Sequence, residues 1–279
     1  MIEAVLALIL GLVIGSFLNV CIVRIPHRQS VVSPRSRCPL CERPISWHDN
    51  VPVLSYLALG GRCRGCRGPI SPRYPLVEAA TGLVSLLLAL RYGLGPAWAI
   101  YLAFSAALIV LVLIDLDHRI LPDVITLNGI WAGIAASLYL AEPSRFAQRL
   151  YGFAGADIES PLLLALAASL AGAIFGGGLL WIVREAFFLL RGIEGLGFGD
   201  VKMMAMVGAF LGVPLTLLTI LLGSVVGSII GIAVIRLSGK SRHYELPFGT
   251  FLGAGAIVAV LYGNEIVRLY LDNFFPPIV

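Results

Sequence analysis

The chain has 279 residues, of which 58% are hydrophobic and only 13% charged. Soluble domains carry roughly a quarter charged residues, so this composition, with a mean hydropathy of +0.93, excludes an ordinary soluble protein and identifies a polytopic protein of the lipid bilayer. The net charge of +4 is not a nucleic-acid signature, because the basic residues cluster in loops between apolar runs.

Residues 2–23 are the first apolar run. It has no basic segment before it, so a spanning helix is predicted there and not a cleavable signal. Gly11 and Gly15 stand one helical turn apart, a small-residue face suited to packing on another helix. Residues 24–75 are polar, rich in Pro, Arg and Cys, and too long for a turn. They read as a small extramembrane domain. The second span is 76–90, with Glu78 just inside it, and the third is 96–114. A polar patch at 115–123 precedes the fourth span at 124–140, and a polar linker follows at 141–160. The fifth span, 161–183, is loosened by Gly176, Gly177 and Gly178, and its apolar continuation extends helix to about Leu190. A connector at 184–199 leads to a short sixth span at 201–213. Pro214 opens the seventh, to 235. A polar loop at 236–247 and an eighth span at 248–271 complete the chain. Most of these reach the roughly 20 residues that cross hydrocarbon, whereas the sixth does so only by tilt or local thinning.

The predicted fold is therefore all-α, with about eight transmembrane helices and a small cytoplasmic zinc-binding domain between helices 1 and 2. Its divisions are 1–23 as the first helix, 24–75 as the tetracysteine domain and 76–279 as the transmembrane core. With eight crossings, one face receives 15 of the 20 Lys and Arg residues, with Lys202 at its edge, and the other receives Arg91, Arg145, Arg149 and Arg268. The crowded face is predicted to be cytoplasmic, with both termini outside.

Cys38-Pro39-Leu40-Cys41 and Cys63-Arg64-Gly65-Cys66 form two Cys-x-x-Cys pairs in one polar loop. Paired spacing of this kind favours a metal over disulfides, and a reducing cytoplasm does the same. Four thiolates satisfy tetrahedral zinc with no open position, which means a structural site. An iron–sulfur cluster is the competing occupant. His48 lies between the pairs and is read as a surface residue.

Carboxylates at membrane depth are costly and usually have a task. Under the eight-span topology, Asp115 ends the third helix and Asp200 opens the sixth on the same face. Two aspartates brought together there can share one proton, one acting on water and the other on a carbonyl oxygen, as in an aspartic protease. The bland alternative is two helix-end residues facing water. It has force for Asp200, because an acid at a helix N-terminus is favoured by the dipole; it is weaker for Asp115, at a C-terminus. Asp117 and Asp123 compete with Asp115 for the role. Gly197 and Gly199 before Asp200 allow close backbone approach. Gly195-Leu196-Gly197-Phe198-Gly199 also has the look of a nucleotide or S-adenosylmethionine loop, but that motif needs a preceding strand. Ser16 lacks any histidine in an apolar span to activate it. A proton- or cation-coupled transporter using buried aspartates is the alternative function.

Taken together, Gly15-Ser16-Phe17-Leu18-Asn19-Val20, the tetracysteine loop, Arg73-Tyr74-Pro75-Leu76-Val77-Glu78, Ile114-Asp115-Leu116-Asp117-His118-Arg119-Ile120-Leu121-Pro122-Asp123 and Gly197-Phe198-Gly199-Asp200-Val201-Lys202 resemble type IV prepilin peptidases, in the same order. The resemblance runs to about Gly208. It implies a Gly-x-Gly-Asp aspartyl protease of the cytoplasmic (inner) membrane that cleaves the basic leader of prepilins or pseudopilins. It also implies N-methylation of the new N-terminus from S-adenosylmethionine, in the service of type IV pili or type II secretion. The resemblance selects Asp115 and Asp200 as the catalytic pair, with Gly197, Gly199 and Lys202 in support. Gly60-Gly61-Arg62 is similar to an element tied to methyl transfer, with arginine where that element has lysine, and makes Gly61 and Arg62 the methyltransferase candidates. The zinc ligands are Cys38, Cys41, Cys63 and Cys66.

Overall fold

The computed structural model describes residues 2–140, 160–193, 195–238 and 246–274. Among these residues the regular structure is helical, with two isolated β-bridges in the cysteine loop. The chain divides into two compact units, Met1–Ile114 and Asp115–Val279.

The first unit holds α1 (Ile2–Arg24), a 3-10 turn (Trp47–Asn50), α2 (Leu54–Ala58), α3 (Arg73–Tyr92) and most of α4 (Pro96–His118). Gly11 and Gly15 do what their spacing predicts. A Cβ on Gly11 would lie 2.8 Å from the Gly82 Cα, and one on Gly15 would lie 2.7 Å from the Glu78 Cα, so only glycine lets α1 and α3 meet backbone to backbone. Polar side chains then bond across the seam. Ser85 Oγ donates to the Ala7 carbonyl at 2.6 Å, and Asn19 Nδ2 to the Tyr74 carbonyl at 3.1 Å. In an apolar surround an unmet polar group costs several kcal/mol, so such groups are buried in pairs.

The second unit starts at the last turn of α4 and holds α5 (Asp123–Ser137), α6 (Pro161–Arg191), α7 (Phe198–Ser238) and α8 (Phe248–Phe274). Pro161 opens α6, where a missing N–H costs nothing, and Gly192 closes it at φ 68°. The helix runs unbroken through Gly176, Gly177 and Gly178, so these glycines do not loosen it. Gly176 and Gly177 instead sit against α7: the site of a Gly177 Cβ is 3.0 Å from Ala205 Cβ.

α7 is broken at Gly212 (φ 69°, ψ 178°), two residues before Pro214. A Cβ on Gly176 would touch both the Met204 carbonyl and Thr216 Cγ2. In a straight helix those residues would lie about 18 Å apart. The chain therefore doubles back at Gly212 into two antiparallel arms, which are the sixth and seventh expected spans. The second arm runs antiparallel to α8: Gly223 packs on Leu252, and Gly263 on Leu215. Gly129 and Gly133 of α5 pack on Met206 and Ala209 of the first arm.

Six described helices are long and apolar enough to cross a membrane: α1, α3, α4, α6, α7 and α8. α5 has 15 residues and covers only about 22 Å. With α5 added and the arms of α7 taken separately, all eight apolar segments expected from sequence are helical. The linker at 141–160 lies outside the described residues apart from Ser160, as does most of the loop at 236–247.

Candidate functional site

Three helix ends converge in the second unit. Asp115 lies in the last turn of α4, Asp200 is the third residue of α7, and Gly249 and Thr250 are the second and third of α8. Asp115 is 5% exposed and Asp200 7%. The position of a Gly249 Cβ lies 2.9 Å from Asp200 Oδ1 and 3.1 Å from Asp115 Oδ2. The two oxygens are thus at most about 6 Å apart, the sum of those distances. Asp115 Oδ2 accepts two bonds from Thr250, from the backbone N–H at 2.7 Å and from Oγ1 at 3.0 Å.

The glycine loop before Asp200 closes around it. The Asp200 N–H donates to the Gly197 carbonyl at 3.2 Å, and Asp200 Oδ2 is 3.3 Å from the position of a Gly197 Cβ. Gly199 packs on Leu121, with its missing Cβ 2.9 Å from Leu121 Cβ. Of the competing acids, Asp117 is exposed and Asp123 faces Lys202, whose Nζ donates to its two oxygens at 2.7 and 2.9 Å. Lys202 thus ties the start of α5 to the start of α7. Lys202 Nζ also lies 5.1 Å from the centroid of the Phe198 ring. Sequence reasoning missed Gly249 and Thr250. Neither is charged, and the only local signal was a Pro-Phe-Gly-Thr opening to the last apolar run.

The first unit holds the cysteines. The four sulfurs of Cys38, Cys41, Cys63 and Cys66 lie within 4.8 Å of one another, with Cys38 and Cys66 3.9 Å apart. Tetrahedral zinc with bonds of about 2.3 Å puts its thiolates about 3.8 Å apart, so the donor set and its spacing fit one zinc. The N–H groups of Cys66 and Gly65 point at the Cys63 sulfur and hold its thiol below the usual range, while its neighbour Cys66 is pushed the other way by burial and the surrounding sulfurs.

The two pairs are one motif used twice, Arg37 to Ser46 and Arg62 to Ser71, both reading Arg-Cys-x-x-Cys-x-x-Pro-Ile-Ser. Cys38 N–H bonds the Arg43 carbonyl at 3.0 Å, and Cys63 N–H the Gly68 carbonyl at 2.9 Å. Glu42 (φ 57°) and Arg67 (φ 59°) take the same left-handed turn. Asp49 and Arg64 form a bidentate pair at 2.8–3.0 Å that fastens the 3-10 turn to the second repeat. The Arg64 guanidinium holds the Asp49 carboxyl below its usual range. His48 is half exposed and outside the sulfur cluster.

Gly61 (φ 69°) lies beside the Tyr56 hydroxyl, 3.0 Å from where its Cβ would be, and Arg62 is exposed. Glu78 Oε2 accepts the Val53 N–H at 2.8 Å, holding the start of α2 to α3. A cavity of about 410 Å³ lies along α1, lined by Phe17, Arg24, Arg35, Trp47 and Asn50 among others. Its lining carries arginines and no carboxylate, so it offers a partner to a carboxylate group but none to a cationic one.

Residues 9–92 match the bacterial peptidase A24 N-terminal domain, and residues 102–232 match the type IV leader peptidase family. The chain is 36% identical to the prepilin leader peptidase/N-methyltransferase of Pseudomonas aeruginosa, over 95% of its own length and 92% of that protein's. The chain belongs to the type IV leader peptidase family. Other relatives carry the same name: that of Aeromonas hydrophila is 38% identical over 96% of this chain and 94% of its own length. A Burkholderia pseudomallei relative is 38% identical over 94% of this chain and 86% of its own length. No solved structure gives a significant match. The match to the type IV leader peptidase family ends before α8, so the Gly249–Thr250 corner lies beyond it.

Proposed function

We propose that this multi-pass membrane protein removes the basic leader of type IV prepilins or pseudopilins and then N-methylates the new N-terminal residue. The observation that carries the peptidase half is the facing pair Asp115 and Asp200, both buried and both beside Gly249. One carboxylate takes a proton from a water molecule as that water bonds to the scissile carbonyl carbon. The other gives its proton to the carbonyl oxygen. When the carbon–nitrogen bond breaks, the leaving nitrogen takes the proton that came from the water, and the former carbonyl oxygen returns its proton to the second carboxylate. Gly197 and Gly199 let the substrate backbone come close, and Lys202 steadies the loop behind Asp200.

A prepilin helix sits in the bilayer with its basic leader in the cytoplasm, so its scissile bond reaches the inner interface. The positive-inside rule supports the same face for Asp115 and Asp200. Acidic residues at that face would attract a basic leader. Cys38, Cys41, Cys63 and Cys66 would hold zinc as a structural cross-link of the loop at 24–75. S-adenosylmethionine would supply the methyl group, and the naming of the relatives supports that half. Gly61 and Arg62 remain its candidates. The transporter reading has no support: it leaves the tetracysteine site without a place, and the relatives are named as peptidases.

Incubation of the purified enzyme in detergent with a prepilin peptide and S-adenosylmethionine tests both halves. The expected products are a free leader and a mature segment heavier by one methyl group at its N-terminus. An intact peptide would sink the peptidase half; a cleaved but unmethylated product would sink the other.

A further inference from the structure

The geometry points to the first turn of α8, Gly249 and Thr250, as a third wall of the catalytic centre, with Thr250 as the positioning residue for Asp115. The inference rests on the peptidase reading and extends it to a helix outside the family match.

Asp115 has a placement problem. It lies in the last turn of α4, where the helix dipole disfavours a negative charge. α8 answers it. The first N–H groups of a helix have no partner within that helix, and the N–H of Thr250, the third residue of α8, points at Asp115 Oδ2 from 2.7 Å. The hydroxyl of the same residue reaches the same oxygen at 3.0 Å. Two donors from one residue fix the carboxylate's rotation and saturate Oδ2. Oδ1 receives no protein donor among the described residues, so it is left for water. The Asp200 carboxylate is faced by the backbone N–H of Gly197, so the two aspartates are held from different elements, Asp115 from α8 and Asp200 from its own glycine loop.

Gly249 does the complementary job. A methyl group at this position would stand 2.9 Å from Asp200 Oδ1, 3.1 Å from Asp115 Oδ2 and 2.9 Å from Leu121 Cδ1. It would fill the space between the carboxylates. The glycine is needed there for room, since its φ lies outside the left-handed region.

The test is steady-state cleavage of a prepilin peptide by purified full-length variants. Thr250→Val removes the hydroxyl at nearly constant volume and keeps the N–H; Thr250→Ser keeps both donors. Loss of one hydrogen bond to a carboxylate in the reacting centre predicts a fall in kcat of about 10- to 100-fold for Thr250→Val, with KM within about twofold. Thr250→Ser should return kcat to within about threefold. Wild-type kcat in Thr250→Val, or equal damage in Thr250→Ser, would overturn the inference, because packing and not the hydroxyl would then be the role. Should Thr250→Val melt early, Thr250→Ala against Thr250→Ser decides the matter: the inference requires the serine variant to be the faster by about tenfold. Gly249→Ala should lose at least about 100-fold in kcat while melting normally, and full activity there would remove Gly249 from the site. Asp115→Asn and Asp200→Asn serve as references. If both cleave normally, the peptidase reading itself fails; if both are dead while Thr250→Val is unimpaired, only the role of α8 fails.

Discussion

Asp115 and Asp200 illustrate how far single residues could be read. Cost of burial singled out Asp200 behind its glycines, but spacing alone left Asp115, Asp117 and Asp123 in competition, and only resemblance separated them. The fold separates them physically: Asp115 is 5% exposed, while Asp123 is drawn to Lys202. Substituting Asp115→Asn or Asp200→Asn should each lower leader cleavage by at least about 10³-fold, because members of a catalytic pair act as a unit. Membrane insertion and melting temperature should be unchanged, which separates lost chemistry from lost fold. The Lys202–Asp123 pair supports a smaller effect. Asp123 is more than half exposed and Lys202 22%, so the pair is worth about 0.2–1 kcal/mol in a double-mutant cycle on melting. A coupling near zero would mean that Lys202 does not tie α5 to α7. Thr250 could not be found from sequence by any charge or cost argument. It is an ordinary hydroxyl, and its meaning comes from a helix end 135 residues away in the chain.

Among elements, the seam between α6 and α7 sets how closely the site can be built. Gly172 and Gly208 face each other so tightly that a Cβ on Gly208 would run into the Gly172 carbonyl. That contact is backbone on backbone, which a side-chain rotation cannot relieve. Association of helices in lipid relies on such close packing, since burial from water contributes little there. Gly208→Ala should therefore destabilise the second unit by about 1–3 kcal/mol, read as a fall in melting temperature in detergent. Gly178→Ala on the same helix meets nothing within 4 Å and should melt at or above the wild-type temperature. Equal melting of the two variants would show that this contact is not close in solution. In sequence Gly176, Gly177 and Gly178 look like a weakness of α6, because propensity counts their backbone entropy and cannot see the partner helix. The reversal in α7 was more legible, since Pro214 marks it within two residues of Gly212. The reason lies in local stereochemistry: φ 69° at Gly212 suits a residue without Cβ, and proline cannot donate to the preceding turn. The cysteine loop was legible by its spacing. Its repeat was equally visible in the letters, yet its meaning lies in two matching left-handed turns that present four sulfurs to one ion. Chelation should release one zinc per chain and open the segment between 37 and 71 to proteases. Full protease resistance after complete zinc loss would contradict a structural role for the metal.

At the level of the whole chain, the count of crossings decides whether the site can exist. Asp115, Asp200 and Thr250 meet, so the passages between them must come in even numbers. α5 and α6 supply the first pair. The two arms of α7 supply the second, and only because the chain reverses at Gly212. An unbroken α7 would carry Thr250 to the opposite face and leave Asp115 without its donors. Hydropathy alone would merge the arms into one 40-residue apolar helix, so the proline and glycine, not the hydrophobic pattern, encode the meeting of Asp115, Asp200 and Thr250. The basic-residue imbalance read from the sequence, 15 expected on one face against four on the other, predicts which side is cytoplasmic. Reporter fusions after residue 95 and at the C-terminus should be active outside the membrane, and a fusion after residue 240 should be active only in the cytoplasm. A fusion after residue 240 active outside, together with one after residue 95 active outside, would mean an odd number of passages between Asp115 and Thr250. That result would separate Thr250 from Asp115 by the thickness of the bilayer, and Thr250→Val would then have no route by which to slow the reaction.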